Sequence, residues 1–234
     1  LGCGLPTQFA GIKKGDTVID LGSGAGNDCF VARHETGAEG KVIGIDFTPA
    51  MIKKARTNAD KLGFNNVEFR EGDIDDMPVS DNIADVIVSN CVLNLVSDKQ
   101  KVIAEIFRVL KTGGHFSISD IVLVGDLPEA LREDAEMYAG CVAGAIQKKD
   151  YLQFIEDAGF QNIQVQKVKV ITIPDDILEK YLSEEGIANF KKGETGIFSI
   201  TVYAEKPGNK QQKPKLKMMD LQSQGTCSPE TGCC

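Results

Sequence analysis

Three glycines follow a short apolar run in the stretch VIDLGSGAGNDCF, residues 18–30. Gly22, Gly24 and Gly26 allow a tight backbone turn and the close approach of a ligand. A strand, a glycine-rich turn and a helix in this order are typical of a nucleotide-like cofactor site. A thiol, Cys29, stands near the expected start of the helix. The first questions are which cofactor the turn holds and what the thiol does beside it.

Three aspartates occur near the ends of three successive predicted strands. Asp20 lies in the first strand, Asp46 ends the second and Asp73 ends the third. An acid at the end of the second strand typically accepts hydrogen bonds from ribose hydroxyls, and one after the third can accept a bond from an adenine amino group. A carboxylate at Asp20 would repel a pyrophosphate and attract ammonium and sulfonium charge. The set therefore fits S-adenosylmethionine better than NAD.

Strands and helices alternate over the first half of the chain. The apolar runs predict strands at 16–21, 41–46, 66–73, 83–90 and 115–123. The helical spacing predicts helices at 26–37, 48–63 and 97–114, with Thr48 and Ser97 as N-caps and Gly37, Gly63 and Gly113 as stops. This alternation implies parallel strands with right-handed crossovers, and a ligand at their carboxyl ends.

The pattern changes after residue 123. Helices are predicted at 127–145, 148–160 and 175–188, and two long strands at 163–173 and 196–206. The predicted fold is α/β: a doubly wound, mostly parallel, Rossmann-like seven-stranded sheet with an antiparallel last strand. We divide the chain into a cofactor-binding core with an N-terminal cysteine segment (1–123), acceptor-side helices with the last two strands of the same domain (124–206), and a flexible cysteine-containing tail (207–234).

The composition excludes several function classes. A net charge of −8 argues against a general nucleic-acid binder. No apolar run reaches the ~18 residues of a membrane span, and the first residues lack the features of a signal peptide. The odd number of cysteines, 7, then predicts cytoplasmic thiols rather than a secreted disulfide framework.

Four motifs together resemble the class I S-adenosylmethionine-dependent methyltransferases: VIDLGSGAGND, VIGIDFTPAMIKKA, EGDIDDMPV and FRVLKTGGHFSISD. The resemblance covers roughly residues 15–123 and implies a methyltransferase fold. The expected cofactor-binding residues are Asp20, Gly22, Ser23, Gly24, Gly26, Asp46, Phe47, Met51, Asp73, Ile74 and Asn90.

Within that superfamily the chain is similar to the arsenite methyltransferases. The likeness rests on LGCGLP (1–6), GSGAGNDCF (22–30), SNCVLNLVSDKQKVIAEIFRVLKTGG (89–114) and MYAGCVAGA (137–145). It implies that Cys3, Cys29 and Cys141 bind arsenic or take part in thiol–disulfide steps. Cys91 of the SNCV motif is interpreted as a packing residue of the cofactor wall.

The chemistry of trivalent arsenic agrees with this resemblance. Soft ions prefer thiolates, and the arsenic lone pair can attack a sulfonium methyl group without a general base. The two histidines, His34 and His115, are interpreted as structural. The motif SNCV stands where a methyltransferase for nucleic-acid amines would show a sequence like NPPY. The expected partners are arsenite or its thiol conjugates, with glutathione or thioredoxin as reductant.

The cysteines receive separate roles. Cys141 is the expected arsenic ligand, and Cys29 and Cys3 form a redox pair or supply further ligands. The pKa of Cys29 is expected to be lowered by the helix N-terminus. The family usually has another arsenic-binding cysteine before the last strand, but this chain has none between Cys141 and Cys227.

Two interpretations of the tail remain open, as do two alternatives to arsenite methylation. Cys227, Cys233 and Cys234 either hold arsenic or belong to a solvated tail. The alternatives to arsenite methylation are a methyltransferase for another small acceptor, such as a quinone or sterol precursor, and a non-catalytic metalloid-binding protein. The intact acids Asp20, Asp46 and Asp73 argue against a non-catalytic metalloid-binding protein.

Overall fold

The computed structural model describes residues 4–133, 141–142, 144–192 and 194–208. Its strands are β1 (Thr17–Leu21), β2 (Lys41–Asp46), β3 (Val67–Glu71), β4 (Ala84–Asn90), β5 (Leu110–Val124), β6 (Gln161–Val170) and β7 (Gly196–Glu205). Its helices are α1 (Pro6–Phe9), α2 (Asn27–Thr36), α3 (Pro49–Leu62), α4 (Lys99–Val109), α5 (Lys148–Asp157), α6 (Asp175–Tyr181) and α7 (Glu184–Lys192), with a 3-10 turn at Leu93–Leu95.

The described strands form one seven-stranded sheet in the order β3-β2-β1-β4-β5-β7-β6. The pairs among β1 to β5 are parallel. β7 is antiparallel to both of its neighbours, β5 and β6. The predicted fold class, with an antiparallel last strand, is confirmed.

Successive side chains of each strand point to opposite faces of the sheet, so an apolar core forms on each face. Val18 and Val42 pack with the buried sides of α2 and α3, whereas Ile19 and Ile43 pack with α4 and α5. This is the pattern expected of parallel strands covered on both faces. A third apolar cluster surrounds the carboxyl end of β5 and joins Ile121, Leu131, Val142, Ile177 and Ile197, among others.

Both predicted boundaries of α4 are wrong. α4 ends at Val109, and residues 110–114 are the start of β5, because Gly113 and Gly114 exchange backbone hydrogen bonds with Lys206. Its N-cap is Asp98 rather than Ser97, with the carboxylate accepting from Lys101 N at 3.0 Å.

The helix predicted at 127–145 does not run to its predicted end. Residues 129–133 are helical, but 141, 142 and 144 are not, and Cys141 has a left-handed φ of 57°. The rest of this prediction, and the tail from 209 onward, lie outside the described residues. No described helix is both long enough and apolar enough to span a bilayer.

Candidate active site

The glycine-rich turn connects β1 to α2 at the carboxyl end of the sheet. Gly22, Gly24 and Gly26 all have positive φ, at 65°, 51° and 95°, a conformation that side chains with a Cβ rarely adopt. Ser23 N donates to Ile45 O at 2.9 Å and so fixes the turn against the end of β2. The prediction that these glycines shape a tight turn is supported by their backbone.

Asp46 holds the turn from the opposite side. One of its carboxylate oxygens accepts from Gly24 N at 2.9 Å, and the other accepts from Thr48 N at 2.8 Å. The side chain is buried, yet each oxygen retains a lone pair for a ligand. Asp46 therefore organises the loops of the site as well as standing where a ribose is expected.

A pocket of about 420 Å³ opens beside this turn. Five of the residues expected to bind the cofactor line it: Gly22, Asp46, Phe47, Asp73 and Ile74. Five more lining residues were missed by sequence reasoning: Asp75, Val92, Leu95, Val96 and Ser97. Four of these residues lie in the motif at 89–114. The resemblance of that motif to a known family could have indicated them as cofactor contacts.

Ser23 and Met51 were also expected to bind the cofactor, but they do not line the pocket. The Ser23 hydroxyl is buried and has no hydrogen-bond partner in the described part of the chain. Phe47 is 64% exposed at the mouth, and Met51 is exposed on the first turn of α3. Positive-φ glycines, a buried hydroxyl without a partner and an acid-lined wall fit a polar adenosine-like group with apolar contacts at its edge.

Asp20 and Cys29 form a buried pair beneath the turn. Cys29 Sγ donates to Asp20 Oδ2 at 3.2 Å, and both side chains are almost fully buried. Burial, followed by the charge of Asp28, raises the pKa of Asp20 to about 8. Burial and then Asp20 raise the pKa of the Cys29 thiol well above its ordinary value. The expected lowering of the Cys29 pKa is wrong, because burial beside a carboxyl outweighs the helix N-terminus.

Asn90 joins three separate segments at the carboxyl end of β4. Its amide exchanges hydrogen bonds with the backbone of Gly4, at 3.0 and 3.2 Å, and donates to Asp28 Oδ2 at 3.2 Å. Asn90 does not line the pocket, although it was expected to bind the cofactor. Cys3, which precedes Gly4, lies outside the described residues.

Cys91 and Cys141 meet next to this junction. Cys141 Sγ donates to Cys91 O at 3.3 Å. Both residues have left-handed backbones, with φ of 61° and 57°. Cys91 is half-buried and disulfide-bonded, whereas Cys29 and Cys141 are thiols. Cys91 packs, partly buried, against an apolar cluster, as interpreted, and it also carries a disulfide, which was not expected.

A close backbone contact fixes the segment that carries Cys141. A Cβ on Gly144 would lie 1.9 Å from Asn94 O, so only glycine lets the two segments come this near. Asn94 Nδ2 also donates to Ile121 O at 2.7 Å, which ties the 3-10 turn to β5. Because neighbouring Leu95 lines the pocket, these contacts set where Cys141 lies relative to it.

The histidines do not contribute to the site. His115 is near the amino end of the β4–β5 pairing, where its ring bonds to Ala10 O and packs on Tyr203 at 5.0 Å. His34 is exposed near the end of α2. Within the described ranges, no three histidine, cysteine or acidic side chains form a cluster able to hold a metal ion.

Comparison with known proteins identifies the family. A methyltransferase-domain model matches residues 12–159. The crystal structure of an arsenic(III) S-adenosylmethionine methyltransferase from Chlamydomonas reinhardtii is 33% identical, with a TM-score of 0.72, over 88% of this chain and 68% of that one. The chain belongs to the arsenite methyltransferase family. This is a family of S-adenosylmethionine-dependent methyltransferases, as the motifs predicted.

Relatives of this arsenite methyltransferase family member differ in length. The arsenite methyltransferase of Halobacterium salinarum is 43% identical over 88% of this chain, which spans 51% of that protein. The chain thus covers about half the length of this curated relative. A ubiquinone/menaquinone biosynthesis C-methyltransferase of Francisella tularensis is 32% identical over 68% of this chain and 72% of its own length.

Proposed function

We propose that the protein transfers methyl groups from S-adenosylmethionine to thiol-bound trivalent arsenic. One observation supports this above all others: a thiol contacts the loop that forms the wall of the cofactor pocket. Cys141 Sγ bonds to the backbone of Cys91, and the next residue, Val92, lines the pocket. A soft acceptor bound to Cys141 would therefore lie beside the pocket.

The pocket residues suit the parts of the cofactor. The lone pairs of Asp46 that face away from its backbone bonds would accept from ribose hydroxyls, and Asp73 from the adenine amino group. Phe47 and Leu95 offer apolar surface at the pocket mouth. Asp20 lies buried beneath the turn with its pKa raised to about 8, and it would become the carboxylate that faces an ammonium group when a cation binds above it. When bound, S-adenosylmethionine supplies a methyl group activated by the sulfonium charge.

The acceptor side needs a ligand rather than a base. Trivalent arsenic carries its own lone pair, so the protein needs only to hold it through soft thiolates and aim it at the methyl group. This agrees with a pocket that has no histidine among its described lining residues. After transfer the arsenic is pentavalent, and two thiols can reduce it by forming a disulfide.

Cys29 and Cys3 are proposed for that redox step, with glutathione or thioredoxin restoring the thiols. The Asp28–Asn90 and Gly4–Asn90 bonds support the pair, because they bring the neighbours of both cysteines to one residue. The buried state of Cys29 means that its reaction requires displacement from Asp20. Such chemistry suits a reducing compartment, and we infer the cytosol.

A quinone-like acceptor is the second candidate, because the Francisella C-methyltransferase is also similar over most of its length. The cysteines would then be incidental to the reaction. Cysteine substitutions separate the two functions directly.

The deciding assay incubates the protein with S-adenosylmethionine, glutathione and arsenite, and separates the arsenic species by mass. We expect methylated arsenic with the wild-type chain and none with Cys141→Ser, while Cys141→Ser binds S-adenosylmethionine normally. Full activity in Cys141→Ser would refute the thiol site. Absence of methylated arsenic with intact cofactor binding would favour another small acceptor.

A further inference from the structure

We propose that Cys91, once reduced, is the second thiolate that holds trivalent arsenic together with Cys141. The inference deepens the proposed arsenite methylation and rests on it for the reaction. The site itself rests on the contact between the two cysteine residues.

The two cysteines lie together although 50 positions separate them in the sequence. Cys141 Sγ reaches Cys91 O at 3.3 Å, and both residues pack, partly buried, against the same apolar cluster. Cys91 directly precedes Val92 of the pocket wall. Arsenic bridging these sulfurs would therefore lie at the border between the acceptor side and the cofactor pocket, where methyl transfer must occur.

Cys29 is less suited to be this second ligand. Its side chain is 0% exposed and its sulfur is engaged with Asp20. Burial raises the pKa of its thiol, and the thiolate is the form that binds metals. Cys91 is half-buried and already stands against Cys141.

Two protein sulfurs leave one position of three-coordinate arsenic for an outside thiol. Starting from arsenic bound to three glutathiones, two As–S bonds to glutathione break and two As–S bonds to Cys91 and Cys141 form. The two cysteine protons pass to the two released glutathione thiolates, so the exchange is balanced.

The disulfide of Cys91 makes this site dependent on reduction. Its partner is neither Cys29 nor Cys141, since both are thiols. One glutathione thiolate would attack the disulfide, and a second would release the remaining mixed disulfide. The products are two protein thiols and one oxidised glutathione, and Cys91 then becomes available to arsenic.

Phenylarsine oxide tests the pair, because it binds two thiols with loss of one water. The full reduced chain, freed of reductant, is treated with an excess of the reagent, digested and mapped by mass. We expect one phenylarsenic group to bridge the peptides of Cys91 and Cys141. The bridge should be absent from Cys91→Ser and from the unreduced chain, and retained in Cys29→Ser. Each variant's binding of S-adenosylmethionine verifies its fold. A bridge from Cys141 to a different cysteine, or an unmodified Cys141, would overturn the inference.

Methylation assays separate this inference from the proposed function. We expect Cys91→Ser to lower kcat/KM for arsenite by at least the ~10–100-fold that loss of outer-shell partners costs metal sites. If wild-type and Cys91→Ser chains methylate arsenite equally, the second ligand is wrong and the function stands. If the wild-type chain bridges the reagent but methylates no arsenic, the thiol pair stands and the function is wrong.

Discussion

A single buried carboxyl, Asp20, connects proton binding to cofactor binding. Burial and the nearby Asp28 raise its pKa to about 8, so it is largely protonated at neutral pH. A cationic ligand above it would favour the carboxylate and lower this pKa. Binding below about pH 8 would then release a proton from Asp20. Above about pH 8 the side chain is already ionised, so binding would release no proton from it.

The affinity for S-adenosylmethionine should therefore rise as the pH increases from 6 to 8, by up to about tenfold per pH unit. Calorimetry in two buffers with different ionisation enthalpies measures the released proton. Asp20→Asn should bind more weakly and lose the dependence, whereas Asp60→Asn, on the exposed side of α3, should keep it. Equal affinity at pH 6 and pH 8 in the wild-type chain would contradict the assignment.

Asp46 has a different task, since its carboxylate already holds two backbone N–H groups. Asp46→Ala leaves Gly24 N and Thr48 N without this partner. We expect a loss of about 1–3 kcal/mol in unfolding free energy, together with weaker cofactor binding. Urea unfolding and cofactor titration measure the two effects, with Asp60→Ala as the matched control. Unchanged stability would show that water replaces the carboxylate.

At the scale of elements, α4 offers a test of its cap. Asp98 accepts from Lys101 N, and the adjacent Ser97 makes no such bond in the structure. Asp98→Ala should destabilise the protein by about 1 kcal/mol, and Ser97→Ala should leave stability nearly unchanged. Urea unfolding of the two variants distinguishes the caps, and the reverse order would mean that the predicted Ser97 cap operates.

The contact between the 3-10 turn and the Cys141 segment offers a second test. Gly144→Ala would place a Cβ 1.9 Å from Asn94 O, so the segment of Cys141 and the 3-10 turn must move apart. We expect arsenite methylation to fall at least about tenfold, the size of effect that small misplacements have in active sites, with cofactor affinity preserved. Gly208→Ala, which has open space, is the control. Wild-type methylation by Gly144→Ala would show that this contact does not position the thiol.

The strands were predictable because parallel buried strands appear as short apolar runs between turn residues. β2 was predicted at its observed boundaries, Lys41–Asp46. The end of α4 was not, because residues 110–114 have helical spacing but pair with neighbouring strands. Tertiary hydrogen bonds there override the local pattern.

The cofactor side of the site was more predictable than the acceptor side. Gly22, Asp46 and Asp73 follow from strand ends, which converge in any doubly wound sheet. The contact of Cys141 with Cys91 depends on two left-handed residues in irregular segments. No periodicity in the sequence encodes such a contact, so spacing alone could not reveal it.

At the scale of the whole molecule, two buried acids govern how stability changes with pH. Burial raises the pKa of Asp120 to about 7 and that of Asp20 to about 8. In the unfolded chain the pKa of an aspartate is near 3.8. Between that pH and the raised pKa of the folded state, the folded protein keeps protons that the unfolded chain has lost. Their contribution to stability is therefore full below about pH 4 and declines as the pH rises through 7 and 8.

The urea midpoint should accordingly fall between pH 5.5 and pH 8.5, with each acid contributing at most about 1.4 kcal/mol per pH unit. Asp20→Asn and Asp120→Asn should each flatten the profile, and the double variant should flatten it further. A midpoint that rises over this range in the wild-type chain would mean that both carboxyls are ionised when folded.

The strand order has a consequence for synthesis on the ribosome. β7 pairs with β5 on one side and with β6 on the other, although it leaves the ribosome after both. While β7 is still inside the exit tunnel, β6 has no strand to pair with, and the edge of β5 exposes unpaired backbone groups that attract other chains. The nascent protein thus keeps an exposed sheet edge from the emergence of β5 until the emergence of β7, so the time that translation takes between these two events governs how long the chain is exposed to aggregation.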